Sequence, residues 1–168
     1  MIYQKRGEEA VDLIQRALTI RERVYGPVHP MVASTLNELG NLAMAQERFD
    51  DARESFSRML AIYRSVYNGK HYLIGVALAN LGSAYMTEGD HARAEPLLRQ
   101  AVQVYQETLP ADHVNTGIAR IKLGRVLLRQ GQYTEAEGDT LSGYGILSRQ
   151  ADPSVSFLRA ARSDLVAI

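Results

Sequence analysis

Between Lys70 and Pro110 the apolar residues fall into two stripes, each with helical spacing. Ile74, Leu78, Leu81 and Tyr85 recur at intervals of three and four, so they share one face of a helix. Gly89 supplies a helix stop, and Asp90 can accept from the unpaired amides that open the next helix. That second helix carries Ala94, Leu97, Leu98, Ala101, Val102 and Tyr105 on its inner face. Neither helix can bury its stripe alone, and one hairpin hides only part of it. The unit needs copies of itself alongside.

The chain contains them. His29, His71 and His113 stand 42 residues apart, and Leu39, Leu81, Leu123 and Leu165 keep the same interval. So do Gly40, Gly82 and Gly124, the series Ala10, Ala52, Ala94 and Ala136, and the pairs Tyr25 with Tyr67 and Tyr63 with Tyr105. No gap is needed anywhere, which makes the period a property of the fold. In this register residues 7–28 match the second helix of a unit, residues 29–70, 71–112 and 113–154 are full units, and residues 155–168 match a first helix. The pattern predicts an all-α solenoid of antiparallel helix pairs, about seven helices in all, cut at both ends from a longer array. GPVHP, YNGKH and LPADH, with their Pro, Gly and Asn, are the breaks between units.

The third full unit is less regular. Thr134 and Glu137 have the spacing of a capping box, but Gly138, Gly143 and Gly145 follow inside the same helix. Each interior glycine costs about 1 kcal/mol relative to alanine, so this helix is expected to be the weakest of the inner ones. Drift near the end of an array is the preferred reading over close approach by a partner.

Leu81-Gly82-x-x-Tyr85, followed by Ala94, Leu98 and Ala101, resembles the small/large pattern of the tetratricopeptide repeat. The longer unit, with GPVHPMVASTLNELG and a second helix ending in AIYRSVY, is similar to the kinesin-light-chain variety. Leu123-Gly124 keeps the pattern, although Val126 and Leu127 stand where Ala84 and Tyr85 do. The irregular last units also resemble repeats found in bacterial proteins behind serine/threonine kinase domains, but no kinase motif is present in this chain. The resemblance implies a right-handed superhelix that binds proteins or peptides without catalysis of its own. It also implies which residues face the groove: Asn37, Asn41, Met44 and Ala45; Ala79, Ser83, Met86 and Thr87; Ile121, Arg125, Leu128 and Arg129. Asparagines there can bond an extended peptide backbone, and arginines can fork onto a carboxylate or phosphate. Met44, Met59 and Met86 are either core filler or adaptable binding surface.

Composition narrows the field further. The 168 residues carry 19 Lys plus Arg and 19 Asp plus Glu, so no net field draws in a nucleic acid or an anionic membrane. The absence of cysteine excludes disulfides and thiolate chemistry. The charged first twenty residues do not read as a signal peptide, and a cytoplasmic location is expected.

The three histidines are the most tempting metal signal. Equivalent positions in adjacent units lie at least one helix spacing apart, about 8–10 Å, whereas ligands of one zinc must lie about 2 Å from it. A repeated role in packing or at a helix end is the better reading, and no cofactor or metal is expected. Glu8, Glu9, Asp50, Asp51, Glu54, Arg93 and Glu95 read as capping and solvated charges, not as acid/base pairs. The alternative to a peptide-binding module is a self-association module. Leu13, Ile14, Ala17 and Leu18 at one end, and Leu165, Val166 and Ile168 at the other, are expected to leave apolar surface exposed and to favour a homodimer.

Overall fold

The computed structural model describes residues 2–152 and 154–168, with side chains from Glu9 onward, so Glu8 lies outside the described side chains. Among these residues are eight helices and no strand: α1 (Ile2–Tyr25), α2 (Pro30–Ala45), α3 (Phe49–Val66), α4 (Tyr72–Glu88), α5 (His91–Thr108), α6 (Val114–Arg129), α7 (Tyr133–Ser148) and α8 (Val155–Val166). The expected count of about seven is corrected to eight, since one opening helix, three pairs and one closing helix make eight. Helix α1 also begins at Ile2, earlier than the apolar stripe from residue 7 indicated. The pairs are α2 with α3, α4 with α5 and α6 with α7, and each second helix also packs on the first helix of the next unit.

The repeated histidines start the first helices. His29, His71 and His113 each have extended backbone, and each Nδ1 accepts from the amide two residues on, at Met31, Leu73 and Asn115. The bonds measure 3.2, 3.2 and 3.1 Å. An imidazole nitrogen can accept only when it carries no proton, so the cap fixes which nitrogen holds the hydrogen. Tyr25 and Tyr67 stack on the rings of His29 and His71, with centroids 4.7 and 3.9 Å apart. The helix-end role expected from the 42-residue spacing is therefore what the structure has.

Between α4 and α5, Gly89 takes the left-handed conformation at φ +88°, and Asp90 Oδ1 accepts from the Arg93 amide at 3.0 Å. The corresponding box in the third unit is not formed. Helix α7 already begins at Tyr133, which places Thr134 inside the helix, and no side chain caps it.

The Leu-Gly pairs explain how closely the helices of a pair approach. A Cβ on Gly40 would lie 2.4 Å from the Phe56 ring, and one on Gly82 would lie 2.9 Å from Leu98 Cγ. Gly143 is a further case of this kind: a Cβ there would sit 2.6 Å from the Gly117 carbonyl oxygen. Helices α6 and α7 thus meet backbone to backbone, and the reading of Gly143 as drift is corrected. Gly138 faces open space, so no packing contact requires a glycine there. Leu81, Leu123 and Met59 are buried in the core, but Leu39 is only half-buried. It borders a depression of about 160 Å³ between α1, α2 and α3, lined also by Val11, Gln15 and Arg58.

Candidate peptide-binding face

The stack curves toward its first helices. Helix α4 lies against α6 and α6 against α8, while no two second helices among the described residues approach as closely. Second helices are instead bridged at longer reach by side chains spaced about one period apart: Arg58 to Glu22, Arg64 to Gln100 and Arg99 to Glu135. The inner side is therefore the side of α2, α4, α6 and α8.

A polar ladder ties these first helices together. Asn80 Nδ2 donates to Asn37 Oδ1 at 2.7 Å, and Lys122 Nζ donates to Ser83 Oγ at 2.7 Å. Arg125 donates through Nε and Nη2 to Asp164 Oδ2, at 3.0 and 2.9 Å. Asn80, Lys122 and Asp164 occupy one register position, directly before the leucine of the Leu-Gly pair, with Glu38 as the fourth member. None of these was singled out from the sequence. The signal was available: a polar residue recurs at this one place in every unit, next to the repeat's most regular leucine.

Lys122 is the electrostatically unusual member. Desolvation first, and repulsion from Arg125 second, push its ammonium down to about 8. Its only hydrogen-bond partner among the described residues is the Ser83 hydroxyl, and the Phe157 ring of α8 lies 5.9 Å from Nζ. A cation held by one neutral acceptor beside another cation is costly to keep, which marks this part of the face for attention.

The residues implied to line the groove do not all do so. Asn41, Ala45, Thr87 and Arg129 are exposed, while Asn37, Met44, Ser83, Met86, Arg125 and Leu128 are half-buried. Ala79 and Ile121 are buried, and Asn37 at the same register position is half-buried against Asn80, so this position faces the seam between first helices and Ala79 and Ile121 are withdrawn as contact residues. Met44, Met86 and Leu128 pack on the core with part of their surface free. Arg125 has its fork taken up by Asp164, whereas Arg129 has no ion-pair partner among the described residues. Arg129 lies at the rim, in a depression of about 310 Å³ shared with Leu128, Tyr133, Ser163, Asp164 and Ala167. Among the described residues no cluster of His, Asp or Glu could hold a metal ion, and no helix is long and apolar enough to cross a membrane. Of the singled-out charges, Asp50, Asp51, Arg93 and Glu95 sit in local pairs, with Arg53, Arg48, Asp90 and Arg99, while Glu54 is exposed and has no ion-pair partner among the described residues.

Comparison with known proteins agrees with this geometry. A tetratricopeptide repeat family model matches residues 1–65, 31–107 and 73–138. No curated protein matches the sequence. Among solved structures, a single-substitution form of a putative kinesin light chain protein with nearly identical TPR-like repeats, from Podosopora anserina, superposes with a TM-score of 0.78 at 23% identity. That match covers 97% of this chain and 77% of the other. BtubC (BKLC) from P. vanneervenii gives 0.76 at 21% identity, over 89% of this chain and 61% of that one. The Sgt2 TPR domain from Aspergillus fumigatus gives 0.61 at 20%, covering 79% and 76%. With the family model spanning well over half the residues, the chain belongs to the tetratricopeptide repeat family, and its fold is that of the kinesin-light-chain-like repeats.

Proposed function

We propose that the protein is a non-catalytic interaction module that binds an extended peptide segment along the inner faces of α2, α4 and α6. Repeats of this family generally serve protein interaction, and stacked helix pairs build an extended concave surface suited to that use. The observation that carries the reading is the mixture of groups on the inner face. Asn41 is exposed and makes no side-chain hydrogen bond among the described residues, Met44 and Met86 offer soft apolar surface, and Arg129 is a cation at the far end without an ion-pair partner among those residues. An amide pairs with peptide backbone, and an unpaired guanidinium takes a carboxylate. The favoured ligand is therefore an extended peptide whose acidic or carboxy-terminal end lies near Arg129 and the half-buried Arg125. Affinity is modest, because a flexible peptide loses entropy on ordering in an open groove.

The test uses fluorescein-labelled peptides with free, acidic carboxy termini, followed by anisotropy at two ionic strengths. Arg129→Ala weakens binding and flattens its salt dependence, and Arg93→Ala, on the outer side, changes neither. Arg125→Ala is read alongside Arg125→Ala with Asp164→Asn, since removing the arginine alone strands the Asp164 carboxylate. Unchanged affinity and salt response in Arg129→Ala overturn the placement of the acidic end, and failure of wild type to bind any such peptide overturns the ligand class.

A further inference from the structure

One position of the first helices changes character from unit to unit. Ala43, Tyr85 and Leu127 stand at it, 42 residues apart. Leu127 is fully buried. Tyr85 packs on the core with the guanidinium groups of Arg53 and Arg93 over its ring, 5.4 and 4.7 Å from the centroid. Ala43 leaves the corresponding space to the cavity of about 160 Å³ between α1, α2 and α3. The effect reaches one turn back along α2. Leu39 is half-buried there, whereas its equivalents Leu81 and Leu123 are 6% and 3% exposed. The cavity therefore stands where the second unit holds a phenol ring. Its size agrees, since an apolar cavity of about 150 Å³ takes up a benzene ring.

The cavity does not depend on what precedes α1. Ile20 is the register equivalent of Ile62 and Ile146, which are buried within their own pairs, so a first helix before α1 would pack on the side of Ile20. Val11 and Leu18, through which α1 walls the cavity, lie on the opposite side of that helix at about 100° per residue. In the second unit, with neighbours on both sides, Tyr85 itself fills the same place. Floor and rim differ in chemistry. Leu18, Leu36 and Ala43 are buried and make the floor apolar. At the rim Gln15 and Glu54 are exposed and Ser55 is half-buried, and none of the three makes a side-chain hydrogen bond among the described residues. Arg48 and Arg58 border it too, held by Asp51 and Glu22.

We infer that the cavity beside Ala43 is a binding site for a small monocyclic phenol, with its ring against the apolar floor and its hydroxyl at the rim. The hydroxyl donates to the Glu54 carboxylate, with Gln15 and Ser55 as further partners. The order of floor and rim selects a free molecule over a tyrosine of a partner protein. A tyrosine entering from outside leads with its hydroxyl, which would meet Leu18, Leu36 and Ala43 and lose its hydrogen bonds. A free phenol enters ring first and keeps the hydroxyl at the polar mouth. The Arg58–Glu22 bridge places that mouth on the outer side of the stack, so the site is independent of peptide binding on the inner face.

The probe is p-cresol, which is the tyrosine side chain without its backbone. It is titrated into the 168-residue chain, isotope-labelled at its Leu, Val and Ala methyl groups, and followed by NMR. Binding saturates with a Kd of about 1 mM or tighter, and the largest shifts fall on Leu39 and Ala43. Toluene, which lacks the hydroxyl, binds at least about threefold more weakly. Ala43→Tyr and Ala43→Leu install the side chains of the other two units, and each weakens p-cresol binding by about tenfold or more with helicity unchanged. The wild-type shifts locate the site without either variant, so a variant that fails to fold does not remove the test. No saturable binding, shifts centred on other methyl groups, toluene bound as tightly as p-cresol, or unchanged affinity in a folded Ala43 variant would each overturn the assignment.

Discussion

Replacing Lys122 by Met should make the protein more stable at neutral pH. The substitution keeps the length and apolar stem of the side chain and removes the ammonium. In the folded chain that ammonium is desolvated, repelled by Arg125 and held by a single hydroxyl, and its pKa lies at about 8 against an ordinary 10.5. A lowered lysine pKa means that the unfolded chain binds more protons across the interval between those values. Stability therefore rises with pH through that interval, and the full cost is present below it. At 1.36 kcal/mol per pH unit the shift corresponds to about 3 kcal/mol at most, and residual solvent contact of a half-buried side chain reduces the expected gain to about 1–3 kcal/mol. For a chain of this size the gain reads as a rise in melting temperature of roughly 2–10 °C.

The assay is urea unfolding by far-UV circular dichroism, wild type against Lys122→Met, at neutral pH and again near the upper end of the interval. The gain is largest at neutral pH and shrinks as wild-type Lys122 loses its proton. Burial of Tyr105 and Tyr63 raises both phenols, so their contribution is lost once the unfolded tyrosines ionise, and the comparison belongs below about pH 10. Ser83→Ala in the wild-type background should cost about 1 kcal/mol and much less in the Met background, since the hydroxyl then has no ammonium to hold. A Met variant that is less stable than wild type, or more stable by the same amount at both pH values, would refute the reasoning.

His71→Ala removes a helix cap and should cost about 0.5–2 kcal/mol, while His71→Asp, which keeps an acceptor at the cap, should recover most of that in thermal melts. Two glycines of α7 should respond with opposite sign in the same measurement. Gly143→Ala forces a Cβ onto the Gly117 carbonyl and should destabilise by about 1–3 kcal/mol, whereas Gly138→Ala points into open space and should stabilise by about 1 kcal/mol.

Where the sequence succeeded, the signal was local and repeated. The Leu-Gly pairs, the histidine caps and the Gly89-Asp90 turn follow from residues within one or two turns of each other, and 42-residue repetition separates them from chance. What it did not reveal depends on how one unit sits on the next. Arg125 was read as free for a ligand, because its partner Asp164 lies 39 residues away and meets it only once α8 stacks on α6. The same holds for Lys122 and Ser83, also 39 residues apart. Ala79 and Ile121 share a register position with Asn37, and in all three units that position lies at the seam between first helices, which shows only once the units are stacked. In α7 the spacing of Thr134 and Glu137 was right for a cap, but the Gly131-Gln132 turn starts the helix two residues too early for it to form.

The bridges on the two sides of the stack span about one period, from 35 residues for Arg53 with Glu88 to 43 for Asn37 with Asn80, and none among the described residues spans two. Mechanically the molecule is then a row of joints in which each unit feels only its immediate neighbours. A lesion in one unit weakens the two seams that flank it and leaves the others as they were. Curvature is set the same way, as the sum of small rotations at each seam, the outer ones fastened by solvent-exposed charges and the inner ones by short hydrogen bonds. A ligand lying across several units can consequently be followed by slight, distributed bending rather than by a hinge at any one place.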